Sequence, residues 1–207
     1  MGNSEICYKL IFMKKFIVVL AFLFTGFLTA QVADKPEDVS PLLIGEKIQN
    51  TKLFDVEGKV IQTDDVLNQK TVLIVYRGGW CPYCNSQLAD IQEIESEIVK
   101  LGYKIIAVSP DAPEFLKETQ IDKKLHYNLY SDSEGLFMKE LGIAFKAPEK
   151  YGKMLGKYSE NKNTEFLPVP TVYVLNKNRE IEFLYIDPDY KYRLKGDVLM
   201  GVLKALN

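Results

Sequence analysis

The sequence predicts an α/β fold in which a central mixed β-sheet is flanked by helices and extended by an N-terminal β-hairpin. Three observations support this prediction. Residues 71–76, TVLIVY, form a continuous apolar run, which is typical of a strand buried on both faces. Residues 82–100 follow with apolar side chains at helical spacing. Strand and helix patterns then alternate to the end of the chain, which requires helices on both faces of one sheet.

The other elements follow from short local patterns. Two apolar runs around Glu57-Gly58 predict the N-terminal hairpin at 53–62. Pro82 suits the first turn of the 82–100 helix and Gly102 its end, and Ser133 is expected to cap a later helix. The further predicted elements are strands at 104–109 and 127–131, helices at 111–119, 133–141 and 195–205, and a hairpin of strands 171–175 and 180–186. A Lys-rich insertion is expected at about 143–166, before that last hairpin.

Composition restricts the class of protein. The chain has 207 residues, of which 47% are hydrophobic and 26% charged, so disordered and collagen-like classes are excluded. Its formal net charge of −2 gives no electrostatic footprint for nucleic acid. Three cysteines and one histidine are too few for a disulfide-dense scaffold. We therefore expect residues 31–207 to form a single domain without a metal or cofactor.

The N-terminal segment is typical of a secretory signal peptide. Lys14 and Lys15 precede thirteen residues without a charge, Phe16–Leu28, and small residues follow. The apolar stretch is shorter than the ~20 residues of a membrane-spanning helix. We expect residues 1–30 to be the signal peptide, cleaved after Ala30, with Met13 as a plausible start. The domain would then be exported to the periplasm or another extracytoplasmic compartment. The alternative is an uncleaved segment that anchors the domain to the membrane.

Cys81 and Cys84 form a C-x-x-C motif between the buried strand and the amphipathic helix. Cys81 is expected at or near the N-cap, where free backbone N–H groups and the helix dipole favour an anion and lower the thiol pKa. Pro82 has no N–H to lose at the first helical position. Cys84, one turn further on, can attack a mixed disulfide formed at Cys81. Arg77, in the preceding loop, could add positive potential.

Two other interpretations of the motif are weaker. A purely structural disulfide between Cys81 and Cys84 would close a very short loop and stabilise the fold little. A closed metal site needs four ligands, and the mature chain offers two thiols and His126. His126 is far from the motif in sequence, and we expect it to be a packed or partly exposed structural residue.

Residues around the motif are expected to support it. Trp80 should pack beside the dithiol and shield it, or serve as a platform for substrate, and Tyr83 should be exposed and shape access. Val169-Pro170 stands immediately before a predicted strand. This proline could be a cis proline beside the dithiol, or an ordinary trans proline at a strand start.

These motifs resemble the thioredoxin fold, in which W-C-x-x-C follows a strand and V-P-T precedes a later one. The segments VYRGGWCPYCNSQL, IIAVSPDAPEFL and LYSDSEGLFMKELGI are more specific. They are similar to peroxiredoxins of the alkyl hydroperoxide reductase/thiol-specific antioxidant family, in the branch that carries W-C-P-x-C. The resemblance covers about residues 38–206. It implies a redox-active centre, a thiol or disulfide partner protein or electron donor, and a hydroperoxide as a further substrate.

The resemblance leaves the roles of the two cysteines open. The Pro-x-x-x-Thr-x-x-Cys pattern of peroxiredoxins places the peroxidatic cysteine at Cys84, with Cys81 where Thr should stand and Arg77 where Pro should stand. The thioredoxin resemblance instead makes Cys81 the exposed nucleophile and Cys84 the resolving thiol. The peroxiredoxin arginine has no clear counterpart, and Arg193 is a candidate that we expect to be a surface residue.

The sequence therefore predicts an exported thiol oxidoreductase that cycles Cys81 and Cys84 between dithiol and disulfide, exchanges disulfides and could also reduce peroxides. One alternative is a dedicated peroxidase that uses Cys84. Another is a non-catalytic binding module with a structural disulfide. In the insertion, Lys146, Lys150, Lys153 and Lys157 have the spacing of one helical face. That face would be merely solvated, or part of a flap near the site that attracts an anionic partner.

Overall fold

The computed structural model describes residues 32–207, and the predicted signal peptide lies outside the described residues. Val32–Asn207 form one compact unit. Within this unit no helix combines the length and the apolar character needed to cross a membrane.

A seven-stranded mixed sheet forms the centre of the unit, in the order β2-β1-β5-β4-β3-β8-β9. Its strands are β1 (Lys52–Phe54), β2 (Val60–Gln62), β3 (Thr71–Val75), β4 (Lys104–Ser109), β5 (Asn128–Ser131), β8 (Thr171–Leu175) and β9 (Ile181–Ile186). Strands β3, β4 and β5 are parallel, whereas β8 runs antiparallel to β3 and β9 antiparallel to β8. The β1–β2 hairpin pairs with β5 at the other side. The predicted mixed sheet and both hairpins are confirmed.

Helices cover both faces of the sheet. They are α1 (Thr63–Val66), α2 (Pro82–Glu93), α3 (Glu95–Lys100), α4 (Pro113–Asp122), α5 (Leu136–Glu140), α6 (Gly152–Tyr158) and α7 (Gly196–Ala205). Because side chains alternate along a strand, Val72 and Ile74 of β3 pack in one core with residues of α2, α3, α4 and α7. Leu73 and Val75 pack in a second core with α5. The continuous apolar run at 71–76 is thus explained by burial on both faces.

Three predicted helices differ in detail from the structure. The helix expected over 82–100 is interrupted at Ile94, whose ψ of 5° leaves the helical region and whose N–H bonds to Ile91 three residues back. The helix expected at 111–119 starts at Pro113, the position proline favours, and runs to Asp122. Ser133 does not cap α5, because both carboxylate oxygens of Asp132 accept the N–H groups of its first turn.

The predicted insertion at 143–166 consists of several short elements. It contains the short strand β6 (Ala144–Lys146), a 3-10 turn over Glu149–Tyr151 and helix α6, and then leads into β7 (Phe166–Pro168), which pairs with β6. The single helical face expected for the four lysines is therefore wrong, because Lys146 lies in a strand and Lys150 in the 3-10 turn. Only Lys153 and Lys157 belong to α6.

Candidate active site

The two cysteines lie where β3 gives way to α2. Cys81 is the N-cap residue, with an extended backbone, and its carbonyl accepts the first helical hydrogen bond, from the N–H of Asn85 at 3.0 Å. Pro82 occupies the first helical position. The Cys81 N–H donates to the Gly78 carbonyl at 3.1 Å, and the Asn85 side-chain amide donates to the Gly79 carbonyl at 2.8 Å. These bonds fix the loop so that the first turn of α2 carries both thiols.

The loop before the motif depends on Gly78. Its φ of +141° is a conformation that other residues rarely adopt. A Cβ atom at this position would also lie 2.3 Å from the indole nitrogen of Trp80 and 2.7 Å from a carboxylate oxygen of Asp111. Glycine therefore allows the loop, the Trp80 ring and the Asp111 carboxyl group to pack together beside Cys81.

Cys81 and Cys84 are both free thiols and both buried, with 1% and 0% of their surfaces exposed. The expectation of an exposed Cys81 is wrong, because the side chain packs into the core that α2 forms with the sheet. A hydrogen bond from the Cys84 side chain is the main cause that lowers the pKa of Cys81 to about 6; backbone hydrogen bonding and the charges of Arg77 and Arg193 add to it. Burial raises the pKa of Cys84 well above its usual range. Cys81 is therefore the thiolate of the pair near neutral pH.

Arg193 contacts Cys84. Its Nη2 atom donates to the sulfur of Cys84 at 3.3 Å, although 109 residues separate the two in the chain. The expectation that Arg193 is a surface residue is wrong, since its Nε and Nη1 atoms are also buried. The connection from β9 to α7 folds back along α2 and brings this side chain to the dithiol. An open groove of about 660 Å³, lined by Tyr83, Gln87 and Arg193 among others, runs beside it.

Arg77 is buried on the other side of the motif. Only 3% of it is exposed, and its Nε atom finds no hydrogen-bond partner in residues 32–207. The guanidinium carbon lies 5.2, 5.1 and 4.2 Å from the ring centroids of Trp80, Tyr151 and Tyr190. Aromatic faces attract a cation in this arrangement. Arg77 thus brings positive charge close to Cys81 without a carboxylate to neutralise it.

Sequence reasoning missed two buried polar residues near the dithiol. Asp111, at the end of β4, accepts the N–H of Gly79 at 2.7 Å, and burial raises the pKa of its carboxyl group to about 7. Tyr76, immediately after β3, is fully buried, and burial raises the pKa of its phenol well above the usual range. Of these two residues, only Asp111 could have been suspected from the sequence, because it follows an apolar strand.

The structure places the remaining predicted residues at different distances from the dithiol. Trp80 is half-buried and packs against the Cys81–Cys84 core, and Tyr83 is 42% exposed and contacts Tyr190 edge to face. No peptide bond in the described chain is cis, so Val169–Pro170 is trans and the cis alternative is not realised. Pro170 lies between β7 and β8 and lines a cavity with Arg77. His126 is exposed and bonds to Gln92, away from the motif.

Metal binding finds no support in this geometry. Among residues 32–207 no group of three or more His, Cys, Asp or Glu side chains is arranged to hold a metal ion. The chemistry that the site can perform is therefore that of two thiols, one of them ionised near neutral pH, with two arginines and a buried carboxyl group around them.

Comparisons with known proteins agree with this chemistry. Residues 44–184 match the model of the AhpC/TSA family. A thiol-disulfide oxidoreductase ResA of Bacillus cereus is 28% identical over 160 residues, which cover 77% of this chain and 79% of that protein. A putative peroxiredoxin bcp of Haemophilus influenzae is 26% identical over 105 residues, covering 51% of this chain and 68% of that protein.

Solved structures show the same fold at low sequence identity. Reduced Prx3 of Vibrio vulnificus in complex with hydrogen peroxide is 13% identical, with a TM-score of 0.68 over 78% of this chain and 99% of that chain. A peroxiredoxin-like protein of Aquifex aeolicus is 15% identical, with a TM-score of 0.65 over 81% of this chain and 90% of that chain. The predicted thioredoxin-like fold is thereby confirmed.

Proposed function

We propose that this chain, which belongs to the AhpC/TSA family and is a thiol oxidoreductase, reduces disulfides with Cys81 as the attacking thiolate and Cys84 as the resolving thiol. The observation that carries the proposal is the place of the two thiols in α2: Cys81 is the N-cap residue, and Cys84 lies buried three residues further on. The Cys84 side chain lowers the pKa of Cys81 to about 6, which favours its thiolate at neutral pH, whereas burial raises the pKa of Cys84. The two thiols thus differ in the way that a nucleophile and a resolving thiol must differ.

The reaction has two steps. The Cys81 thiolate attacks one sulfur of a substrate disulfide, forms a mixed disulfide and releases the other sulfur as a thiolate. Cys84 then loses its proton and attacks the Cys81 sulfur, which releases the second substrate thiolate and leaves a Cys81–Cys84 disulfide. The substrate gains two electrons, and a thiol electron donor must return two electrons to the protein. Because Cys81 is 1% exposed, the residues that cover it must move aside for a protein disulfide to reach it.

A second candidate function is peroxide reduction at Cys84. Two observations favour it: Arg193 donates to the Cys84 sulfur, and both thiols are buried, which suits a small substrate. In this scheme Cys84 loses its proton and its sulfur attacks one oxygen of a hydroperoxide, so that the O–O bond breaks, the proton goes to the leaving oxygen as water or an alcohol, and Cys84 becomes a sulfenic acid. The Cys81 thiolate then attacks that sulfur and forms the same disulfide, and hydroxide leaves and takes up a proton from solvent.

Rapid mixing separates the two schemes. The reduced protein is mixed with hydrogen peroxide or with a protein disulfide, and the fluorescence of Trp80, which packs against the dithiol, reports oxidation. The proposed scheme predicts fast reaction with the protein disulfide, lost in Cys81→Ser and kept as a trapped mixed disulfide in Cys84→Ser. Fast oxidation by peroxide that survives Cys81→Ser and is lost in Cys84→Ser would overturn it in favour of the peroxidase. Slow reaction with both substrates would instead favour a non-catalytic module.

We also infer that the domain is exported. The support is the sequence alone: two lysines, a short apolar stretch at 16–28 and small residues at 29–30. N-terminal sequencing of protein recovered from the cell should then give a chain that begins at Gln31. A chain that keeps residues 16–28 and stays with the membrane fraction would instead establish an anchor.

A further inference from the structure

A cavity of about 230 Å³ has Arg77 in its wall, whereas neither Cys81 nor Cys84 lines it. Arg77, Lys150, Tyr151, Tyr190, Phe145 and Pro170 contribute to its wall, which is otherwise made of prolines. The wall contains two cationic side chains and no carboxylate. Aromatic and proline rings supply the rest of the surface, so the cavity combines positive charge with apolar walls.

Arg77 is the unusual feature of this wall. The residue is 3% exposed, yet it forms no ion pair with an acidic residue of the described chain. A buried charge without a counter-ion is unfavourable. The three surrounding rings offset part of this cost, and no acidic side chain of residues 32–207 pairs with Arg77 to offset the rest. An anion in the cavity would offset the remainder.

The shape of the cavity restricts what that anion is. About 230 Å³ corresponds to roughly eight water-sized volumes, too small for a nucleotide or another large cofactor. A planar carboxylate matches the guanidinium fork of Arg77. The ring faces of Tyr151 and Tyr190 and the proline rings suit a short apolar group attached to that carboxylate. The exposed amine of Lys150 stands at the same cavity and adds a second charge.

We propose that this cavity is a binding site for a carboxylate that carries a short apolar group, with Arg77 as its main counter-charge. The carboxylate belongs either to a small organic acid or to the end of a peptide chain. The site is separate from the dithiol and does not depend on which substrate the dithiol reduces, so it can be tested without any assay of turnover.

The position of Arg77 links this site to the dithiol. Arg77 is one of the charges that lower the pKa of Cys81, so a carboxylate bound to it would cancel part of that effect and raise the Cys81 pKa. By linkage, ionisation of Cys81 would weaken binding of the carboxylate by the same factor. A ligand at this site would therefore change the reactivity of Cys81 without touching its sulfur.

The test uses the full-length, isotope-labelled protein and two matched probes, hexanoate and its neutral amide, hexanamide. The indole N–H signal of Trp80, the one tryptophan, reports binding, because its ring lies against Arg77. We expect a saturable shift with hexanoate and none with hexanamide. Lys150→Met should weaken binding about three-fold, as for an exposed ion pair, and Arg77→Met should abolish it. Lys153→Met, an exposed lysine outside the cavity, is the matched control and should bind as the wild type does.

The outcomes are distinguishable. Equal shifts with hexanoate and hexanamide, or unchanged hexanoate affinity in Lys150→Met and Arg77→Met, would overturn the proposal. Circular dichroism will show whether Arg77→Met folds. If it does not, the affinity of Lys150→Met for hexanoate and the comparison of hexanoate with hexanamide test the proposal by themselves. A dipeptide with a free C-terminal leucine and its C-terminal amide form a second pair of probes. Tighter binding of the free dipeptide than of hexanoate assigns the site to peptide ends, and the reverse order assigns it to small acids; either order supports a carboxylate site.

Discussion

Replacement of Cys84 by alanine should remove most of the acidity of Cys81. The Cys84 side chain is the largest cause of the lowered Cys81 pKa, which falls from 9.0 to about 6. A change of three units corresponds to about 4 kcal/mol in favour of the thiolate. In Cys84→Ala the burial that raises the pKa remains, while the weaker effects of the backbone N–H of residue 84 and of the charges of Arg77 and Arg193 persist. We therefore expect the Cys81 pKa to rise above about 7.5, and the thiolate fraction at pH 7 to fall from about nine-tenths to about a quarter or less.

The assay is the rate of alkylation of Cys81 by iodoacetamide as a function of pH. The full chain carries Cys7→Ser, so that Cys81 is the only thiol left once Cys84 is replaced. Cys84→Ser is the matched control, because its hydroxyl group can still donate to the Cys81 sulfur. It should keep the midpoint within about one unit of the parent. A midpoint in Cys84→Ala that stays near 6 would refute the reasoning, since the acidity would then come from the helix N-terminus and the arginines.

Two further predictions concern the loop and the carboxyl group around the motif. Gly79→Ala should destabilise the protein by about 1–3 kcal/mol, because its Cβ would lie 2.1 Å from the hydroxyl oxygen of Thr119, which bonds to Phe115; chemical denaturation measures this. Asp111→Asn should change how stability depends on pH. Burial raises the Asp111 pKa from 3.8 to about 7, so its contribution to stability is fully present below pH 4 and lost as pH rises through 7. The free energy of unfolding of Asp111→Asn relative to wild type should therefore rise by about 1–4 kcal/mol between pH 4 and 7 and then level off.

Each of these has a control. The double variant Gly79→Ala/Thr119→Ala should recover part of the lost stability, since the clashing oxygen is gone; no recovery would show that the alanine perturbs the loop in another way. For Asp111→Asn, a difference from wild type that is independent of pH would contradict a buried carboxyl group with a raised pKa. Both measurements are made under reducing conditions, so that the Cys81–Cys84 pair does not change state.

Local patterns were sufficient for most of the fold. The apolar run at 71–76 and the alternation after it predicted the sheet, and the position of Pro82 predicted the start of α2. They failed where two local choices competed or where pairing with another segment decided the structure. Asp132 rather than its neighbour Ser133 accepts the first N–H groups of α5. The lysines expected on one helix are divided between a strand that pairs with β7, a 3-10 turn and a helix.

The candidate site likewise has some residues that local sequence patterns predict and others that they do not. Cys81 and Cys84 are three residues apart and could be predicted together, whereas the groups around them come from distant parts of the chain. Arg193 comes from the connection before α7, and Asp111 from the end of β4. The sequence offers only weak signals for these two residues, because the packing of whole elements places each of them beside the dithiol. The burial of Cys81 was missed for the same reason.

The hydrogen bond between the two thiols also bears on the direction of electron flow. At pH 7 a thiolate with a pKa of about 6 instead of 9 stabilises the dithiol over the disulfide by up to about 1.4 kcal/mol. For a two-electron couple this raises the reduction potential by about 30 mV. The surroundings that lower the Cys81 pKa, with the Cys84 side chain as the largest cause, therefore make the pair a better acceptor of electrons and a weaker donor.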